Sequence, residues 1–252
     1  MSPVALVTGG AVRVGQAISI ALAAAGWRVW VHHHSSSAAA AELARTLGAA
    51  CVGTPRFDLA DEAARNSLVA TITDPAGPAA GRLDLLVNNA ATFERGDLTA
   101  RSDADLRRVL EVNLVAPISL ARGLAPALTA AGGSIVNIID VAGYQPWRGY
   151  LDHCTAKAGL GMATRALAGE LAPAVRVNGV APGTVAWPEG DPRFADGSPV
   201  RAAVLRAIPL QRIGSPSDIA RTVVFLAESP FITGQTIAVD GGRTAVSALG
   251  VR

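Results

Sequence analysis

Cysteine is scarce in this chain. Cys51 and Cys154 are the only two, far apart and in no Cys-x-x-Cys pair. That argues against a disulfide or zinc framework and fits a reducing compartment. Charge of one sign is scarce too. The formal net charge is +2 and no Lys/Arg cluster stands out, whereas a nucleic-acid-binding surface usually carries a basic stripe. No apolar run reaches the roughly 18 residues of a membrane span. Met1 leads straight into Pro3-Val4-Ala5-Leu6-Val7, which reads as a strand rather than a secretory leader. The expected address is the cytoplasm, with no membrane, nucleic-acid or metal partner. Internal repeats and domain linkers are also missing, so residues 1–252 read as one domain.

What is present is alternation. Apolar strands are expected at Val4–Val7, Arg28–Val31, Leu83–Val87, Ser134–Ile139, Val175–Val180 and Thr236–Val239. Ala-rich helical stretches lie between them, as at Gly15–Ala25 and Ala38–Leu47. Continuous apolar strands separated by helices predict an α/β fold, a doubly wound Rossmann-type domain with a parallel sheet covered on both faces. Ligands in such sheets bind beyond the carboxyl ends of the strands. Pro75–Pro78 reads as a surface loop. The stretch 182–200, rich in proline and glycine, is too long for an ordinary connection. It reads as a substrate-side lid, with a disordered insertion as the alternative.

The segment Thr8-Gly9-Gly10-Ala11-Val12-Arg13-Val14-Gly15 lies between the first strand and the first helix. Gly9 permits a tight turn, Gly15 permits close packing of the helix start, and a helix N-terminus attracts a pyrophosphate. Arg13 stands where such loops carry their middle glycine. Its guanidinium can reach the phosphates, or simply be solvated. A protein selecting NAD carries Asp or Glu about 20 residues after the glycines, and here no acid precedes Glu42. The second strand runs instead into His32-His33-His34-Ser35-Ser36-Ser37, whose side chains can donate to a 2′-phosphate. NADPH is therefore the expected cofactor. Successive strand residues face opposite ways, so His33 cannot join its neighbours on one metal ion.

Together with Asp58-Leu59, Asn88-Asn89-Ala90, Asn113, Lys157, Pro182-Gly183 and Asp240-Gly241-Gly242, these residues resemble the short-chain dehydrogenase/reductases over essentially the whole chain. Within that family the chain looks most like the pteridine reductases. Arg13, Asp140, Phe93, His34-Ser35-Ser36, Gln145-Pro146 and Gly149-Tyr150 carry that likeness. The resemblance implies that Gly9, Arg13, Val14, Gly15, His34, Ser35 and Ser36 hold the phosphates. It places Asp58 and Leu59 at the adenine, Asn89 and Ala90 along the cofactor channel, and Pro182, Gly183 and Thr184 at the nicotinamide end. Lys157 would hold the nicotinamide ribose. Asn113 would organise a helix bend and a proton-relay water. Arg13, Phe93 and Tyr150 would meet the substrate, and a homotetramer is implied.

One position departs from that pattern. The family's general acid is a tyrosine four residues before the lysine, and here it is His153, thirteen residues after Asp140. The i,i+4 spacing keeps it on the lysine's helix face. An imidazolium there would be disfavoured by Lys157 and favoured by Asp140 if the two touch. Tyr150, expected one turn earlier on the same helix, is a substitute donor. Three functions follow. The first is hydride transfer from NADPH to a pterin or dihydropterin, including folate forms, with Phe93 stacked on the ring rather than buried as core. The second is carbonyl or 3-oxoacyl reduction. The third is a catalytically silent NADPH-binding protein.

Overall fold

The computed structural model describes residues 2–188 and 190–245. Seven strands form one all-parallel sheet in the order β3-β2-β1-β4-β5-β6-β7. They are β1 (Val4–Val7), β2 (Arg28–Val31), β3 (Cys51–Gly53), β4 (Leu85–Asn88), β5 (Ser134–Ile138), β6 (Arg176–Pro182) and β7 (Thr236–Val239). The helices are α1 (Arg13–Ala24), α2 (Ser37–Leu47), α3 (Glu62–Thr73), α4 (Asp103–Leu110), α5 (Ala116–Ala131), α6 (Leu151–Leu171), α7 (Pro199–Arg206) and α8 (Pro216–Glu228). The strand order reverses between β1 and β4, and the crevice beyond their carboxyl ends is where such sheets take ligands.

Both faces are covered because the strands are apolar on both sides. β1 and β4 are buried at every position, as expected for a sheet sandwiched between helices. On one face α1 and α8 pack through Ile18, Leu22, Ile219, Val223 and Leu226. On the other, α3 and α5 pack through Leu68, Ile72, Leu120, Leu124 and Leu128. The i, i+4, i+8 spacing on α5 aligns its leucines along one stripe. Truncating one fully buried leucine to alanine costs about 2–5 kcal/mol.

The helical run Asp103–Ala131 is long and apolar enough, by length and composition, to cross a membrane. Its leucine stripe lies inside the core, as in the central helix of a globular domain. It widens at Glu111–Val115 into a π-helical turn. Arg65 of α3, almost wholly buried, donates to the Leu59 carbonyl oxygen at 2.8 Å and to Glu111 at 3.1 Å. That contact ties the wide turn to the end of the β3 segment. A polar ladder links β4, β5 and α6, because Asn88 donates to Asn137 at 2.8 Å and Asn137 to Thr164 at 2.9 Å. Both bonds are buried, where hydrogen bonds contribute most to fixing one register.

Candidate active site

A cavity of about 720 Å³ opens beyond the carboxyl ends of the strands. At its nucleotide end, Gly9, Arg13, Val14, Gly15, His34, Ser35, Ser36, Asp58 and Leu59 line the wall. Asn89, Ala90, Asp140, His153 and Lys157 follow at the centre, with Pro182, Gly183 and Thr184 opposite. Phe93 and Tyr150 stand at the far end. Every residue to which the resemblance gives a cofactor, catalytic or substrate role thus reaches one cavity, except Asn113, which is fully buried beside His153.

The loop after β1 has a backbone cradle. Gly9 has φ +59°, and a Cβ there would meet Ala90 at 3.1 Å. A Cβ at Gly15 would drive into the Gly9 carbonyl oxygen and lie 2.7 Å from the Asn89 amide. Arg13 sits at φ +51°, the left-handed region that favours glycine, at a cost of about 1–2 kcal/mol. α1 begins without a side-chain cap and without an acid in its first turn. Its first amides thus have no side-chain partner and face the cavity, which suits a dinucleotide pyrophosphate.

Asn89 does more than line the channel. Its amide donates to the Thr8 and Gly9 carbonyl oxygens at 2.9 and 3.1 Å. Its backbone N–H and that of Ala90 donate to the Thr8 hydroxyl at 2.9 and 3.0 Å. The end of β4 therefore braces the loop after β1.

The histidine run divides its work differently from the sequence reading. His32 is 1% exposed and does not face a phosphate. Its Nδ1 accepts from the Gly9 N–H at 3.2 Å, so its Nε2 carries the proton and donates to the Phe57 carbonyl oxygen at 3.1 Å. Burial pushes its pKa down to about 4. His33 is also buried, bridged through its backbone to Arg56. Only His34, 3.8 Å from Asp58, stays exposed at the cavity edge. Arg108 of α4 approaches the same carboxylate at 3.8 Å.

The chemical centre lies between β5 and α6. Asp140 follows β5, and its Oδ1 accepts from the Ala142 N–H at 2.8 Å. Its Oδ2 lies 3.3 Å from His153 Nε2. The Asp140 side chain keeps 20% of its surface, whereas His153 is 3% exposed. His153 Nδ1 lies 3.3 Å from both the Asn113 amide nitrogen and the Thr92 carbonyl oxygen. A neutral ring can accept there from Asn113, and a protonated ring can donate to Thr92, so both states find a partner. Asn113 is fixed in turn, donating to Thr92 O at 2.9 Å and accepting from Thr92 N at 2.8 Å. The π-helical turn is what aims its amide at this junction.

Lys157, the only lysine in the chain, donates to the Ile138 carbonyl oxygen at 2.7 Å. Burial pulls its pKa down to about 8, with the Asp140 charge acting the other way. Between the two candidate neighbours of His153, Asp140 is the one in hydrogen-bond contact.

Two substrate-side expectations change. Tyr150 is not on the helix with His153, because it precedes the first residue of α6 with ψ +33°. Its ring stacks on Phe93 with centroids 4.6 Å apart. Phe93 is 48% exposed, so it is not a core phenylalanine. Its edge meets His153 at 4.8 Å and Trp147 at 6.3 Å. The sequence reading did not single out Trp147, Trp187, Phe194 or Arg243, which complete the far wall. The stretch 182–200 contributes Trp187, Pro188, Phe194 and Val200 to that wall. It contains a short helical turn at Pro192–Phe194 and runs into α7, with Glu189 outside the described residues.

Comparison with known proteins places this site among relatives. A family profile described as enoyl-(acyl carrier protein) reductase matches residues 10–244. A 3-oxoacyl-(acyl-carrier-protein) reductase of Synechocystis sp. is 36% identical over 248 residues, 95% of this chain and 96% of the relative. Carbonyl reductase family member 4 of Danio rerio is 34% identical over 244 residues, 96% of this chain and 98% of the relative. A 3beta-hydroxysteroid dehydrogenase 1 of Eggerthella lenta is 32% identical over 244 residues, 95% and 92% of the two chains. These names point to carbonyl and hydroxyl groups and lend no support to the pteridine reductase branch. Matches that run along almost the whole chain, on the fold and cavity just described, mean that it belongs to the short-chain dehydrogenase/reductase family of nicotinamide-dependent oxidoreductases.

Proposed function

We propose that the chain is an NADPH-dependent reductase of carbonyl compounds, with the Asp140–His153 pair as its proton source. The observation that carries this reading is the 3.3 Å contact between His153 Nε2 and Asp140 Oδ2 at the cavity wall. The names of the relatives support a carbonyl substrate. Bound NADPH supplies a hydride to the carbonyl carbon. The chain's own residues supply the rest. Arg13, His34, Ser35 and Ser36 hold the 2′-phosphate end, and the lack of an acid after β2 favours NADPH over NADH. Lys157 would hold a ribose hydroxyl of the bound cofactor, and its charge would add positive potential to the site.

Reduction leaves a developing alkoxide that needs a proton. Both side chains reach the cavity lining, but His153 is packed among Phe93, Asn113 and Asp140 and nearly covered, whereas Asp140 is the more exposed of the two. The Nε2 proton therefore moves to Oδ2 of Asp140 and on to the substrate oxygen. The ring is left neutral, with its remaining proton on Nδ1 donated to the Thr92 carbonyl oxygen. Asp140 and His153 act as one acid, in place of a tyrosine hydroxyl.

A pterin remains the second reading, because the Phe93 ring is half exposed and Arg13 lies at the same cavity. One face of Phe93 is already taken by Tyr150, so a pterin would need the other. NADPH oxidation against a 3-oxoester, an aromatic ketone and dihydrobiopterin separates the readings. We expect ketone turnover that falls about 10²–10⁴-fold in His153→Phe and recovers in His153→Tyr. Faster turnover of dihydrobiopterin than of any ketone would favour the pterin reading. Cofactor binding without turnover of any of them would make the chain a silent binding protein.

A further inference from the structure

The far wall of the cavity is apolar and aromatic, built from Phe93, Trp147, Trp187 and Phe194. Two arginines stack on rings of that wall from outside the cavity lining, and both are already paired. Arg193 is bound to Asp191 at 2.6 Å and stacks on Phe194. Arg201 is bound to Asp196 and stacks on Trp187. Arg243 differs. Its guanidinium lies over the Trp147 ring at 5.3 Å, and among the described residues it has no carboxylate within ion-pair distance. It lines the cavity and is half-buried.

The backbone that presents Arg243 is fixed. Asp240 accepts from the Gly242 N–H at 2.8 Å, the Thr244 N–H at 2.8 Å and the Thr244 hydroxyl at 2.6 Å. Arg243 is thus held on a turn closed by its own hydrogen bonds. A guanidinium that lies over an indole can still turn its N–H groups to a ligand, and those groups match a carboxylate or phosphate. Partial removal from water makes the missing counterion costly, so an anion arriving with the substrate would be favoured.

We infer that Arg243 and Trp147 form a subsite for an anionic group on the substrate, remote from the carbonyl that is reduced. This rests on the reductase reading given above. The substrate class is an oxo compound with an apolar or aromatic middle and a carboxylate or phosphate end. The path of rings supports the separation. From His153 to Phe93 the centroid distance is 4.8 Å, from Phe93 to Trp147 it is 6.3 Å, and the guanidinium lies beyond. A carbonyl beside Asp140 and an anion at Arg243 would therefore bracket the aromatic wall. Arg13, the other arginine at the cavity without such a partner, belongs to the nucleotide end and would be covered by the cofactor.

The test is direct binding, so it does not depend on turnover. Naphthoate, naphthamide and phenyl phosphate are titrated calorimetrically into the protein saturated with NADP⁺. We expect naphthoate or phenyl phosphate to bind at least about tenfold more tightly than naphthamide, with the stronger of the two anions identifying the group. Arg243→Gln should bring that ratio to within about twofold of one, and Arg243→Lys, which keeps the charge but not the fork, should recover part of it. Equal binding of the acid and the amide by the native chain would overturn the inference, as would a ratio that survives Arg243→Gln. Arg243-dependent anion binding in a protein that reduces no oxo compound would sink the reductase reading and leave the subsite standing.

Discussion

Lowering the pH should unhook the nucleotide loop through a single histidine. His32 is buried with both ring nitrogens engaged, accepting from the Gly9 N–H and donating to the Phe57 carbonyl oxygen. A second proton would have to sit on Nδ1, facing the Gly9 N–H. The folded chain takes it only near pH 4, whereas the unfolded chain takes it near 6.5. Between those values the unfolded state binds more protons, so stability falls as pH falls. The gap from 6.5 to about 4 corresponds to about 3 kcal/mol at 1.36 kcal/mol per pH unit. Above 6.5 that contribution is fully present. Denaturant unfolding at successive pH values measures it. Carboxylates also lose stability in acid, so the comparison is with His32→Gln, which keeps an acceptor and a donor but no titrating ring. The native chain should lose about 3 kcal/mol more than the variant between pH 6.5 and 4. Its cofactor affinity should fall over the same range, because Gly9 sits in the loop. Parallel loss in the two proteins would refute the argument.

At the cofactor, NADPH should bind more tightly than NADH, and Arg13→Ala should shrink the preference by about tenfold or more, the worth of one charge-assisted hydrogen bond. Dissociation constants that do not differ between the two cofactors would remove Arg13 from phosphate recognition. At the substrate end, Phe93→Ala should raise the KM of an aromatic substrate several-fold, as aromatic contacts contribute about 0.5–1.5 kcal/mol each, while NADPH affinity holds. A joint loss of both would mean that the ring supports the fold rather than the substrate.

Much of the fold could be read from apolar runs. β1 and β2 fall where their hydrophobic stretches lie, because a strand buried on both faces must be apolar at nearly every position, and β7, a partly exposed edge strand, also falls on its apolar run. β3 escaped because Cys51–Gly53 is a short, half-buried edge strand with no such run. The π-helical turn left no mark in composition, since one extra residue in a helix alters none, and only the resemblance at Asn113 pointed to a helix bend there.

In the site, the spacing of Asp140, His153 and Lys157 was readable because it is set within one strand end and one helix. The role of His32 was not. Three adjacent histidines look alike, and only the neighbouring loop shows which one faces inward. Tyr150 was placed on a helix by its spacing, but α6 starts one residue later. Trp147, Arg243 and the pair Trp187 and Phe194 come from three separate loops, and nothing in the sequence brings them together. The features that suggested a pterin, Arg13, Asp140 and Phe93, do surround one cavity. They suit a carbonyl substrate equally, so they could not choose the branch.

The chain carries its positive charge on arginine at every position but one, and that one is the buried Lys157. This turns the amine into a built-in reporter. A reagent that acylates side-chain amines has no surface lysine to consume it. Modification of a side chain can therefore occur only inside the cavity, and an amine whose pKa is near 8 is nucleophilic enough to react there. Mass spectrometry of the intact chain would then read site opening as the growing fraction of chains that carry one increment beyond that of the N-terminal amine, and occupancy of the nucleotide cleft could be followed as the slowing of that growth.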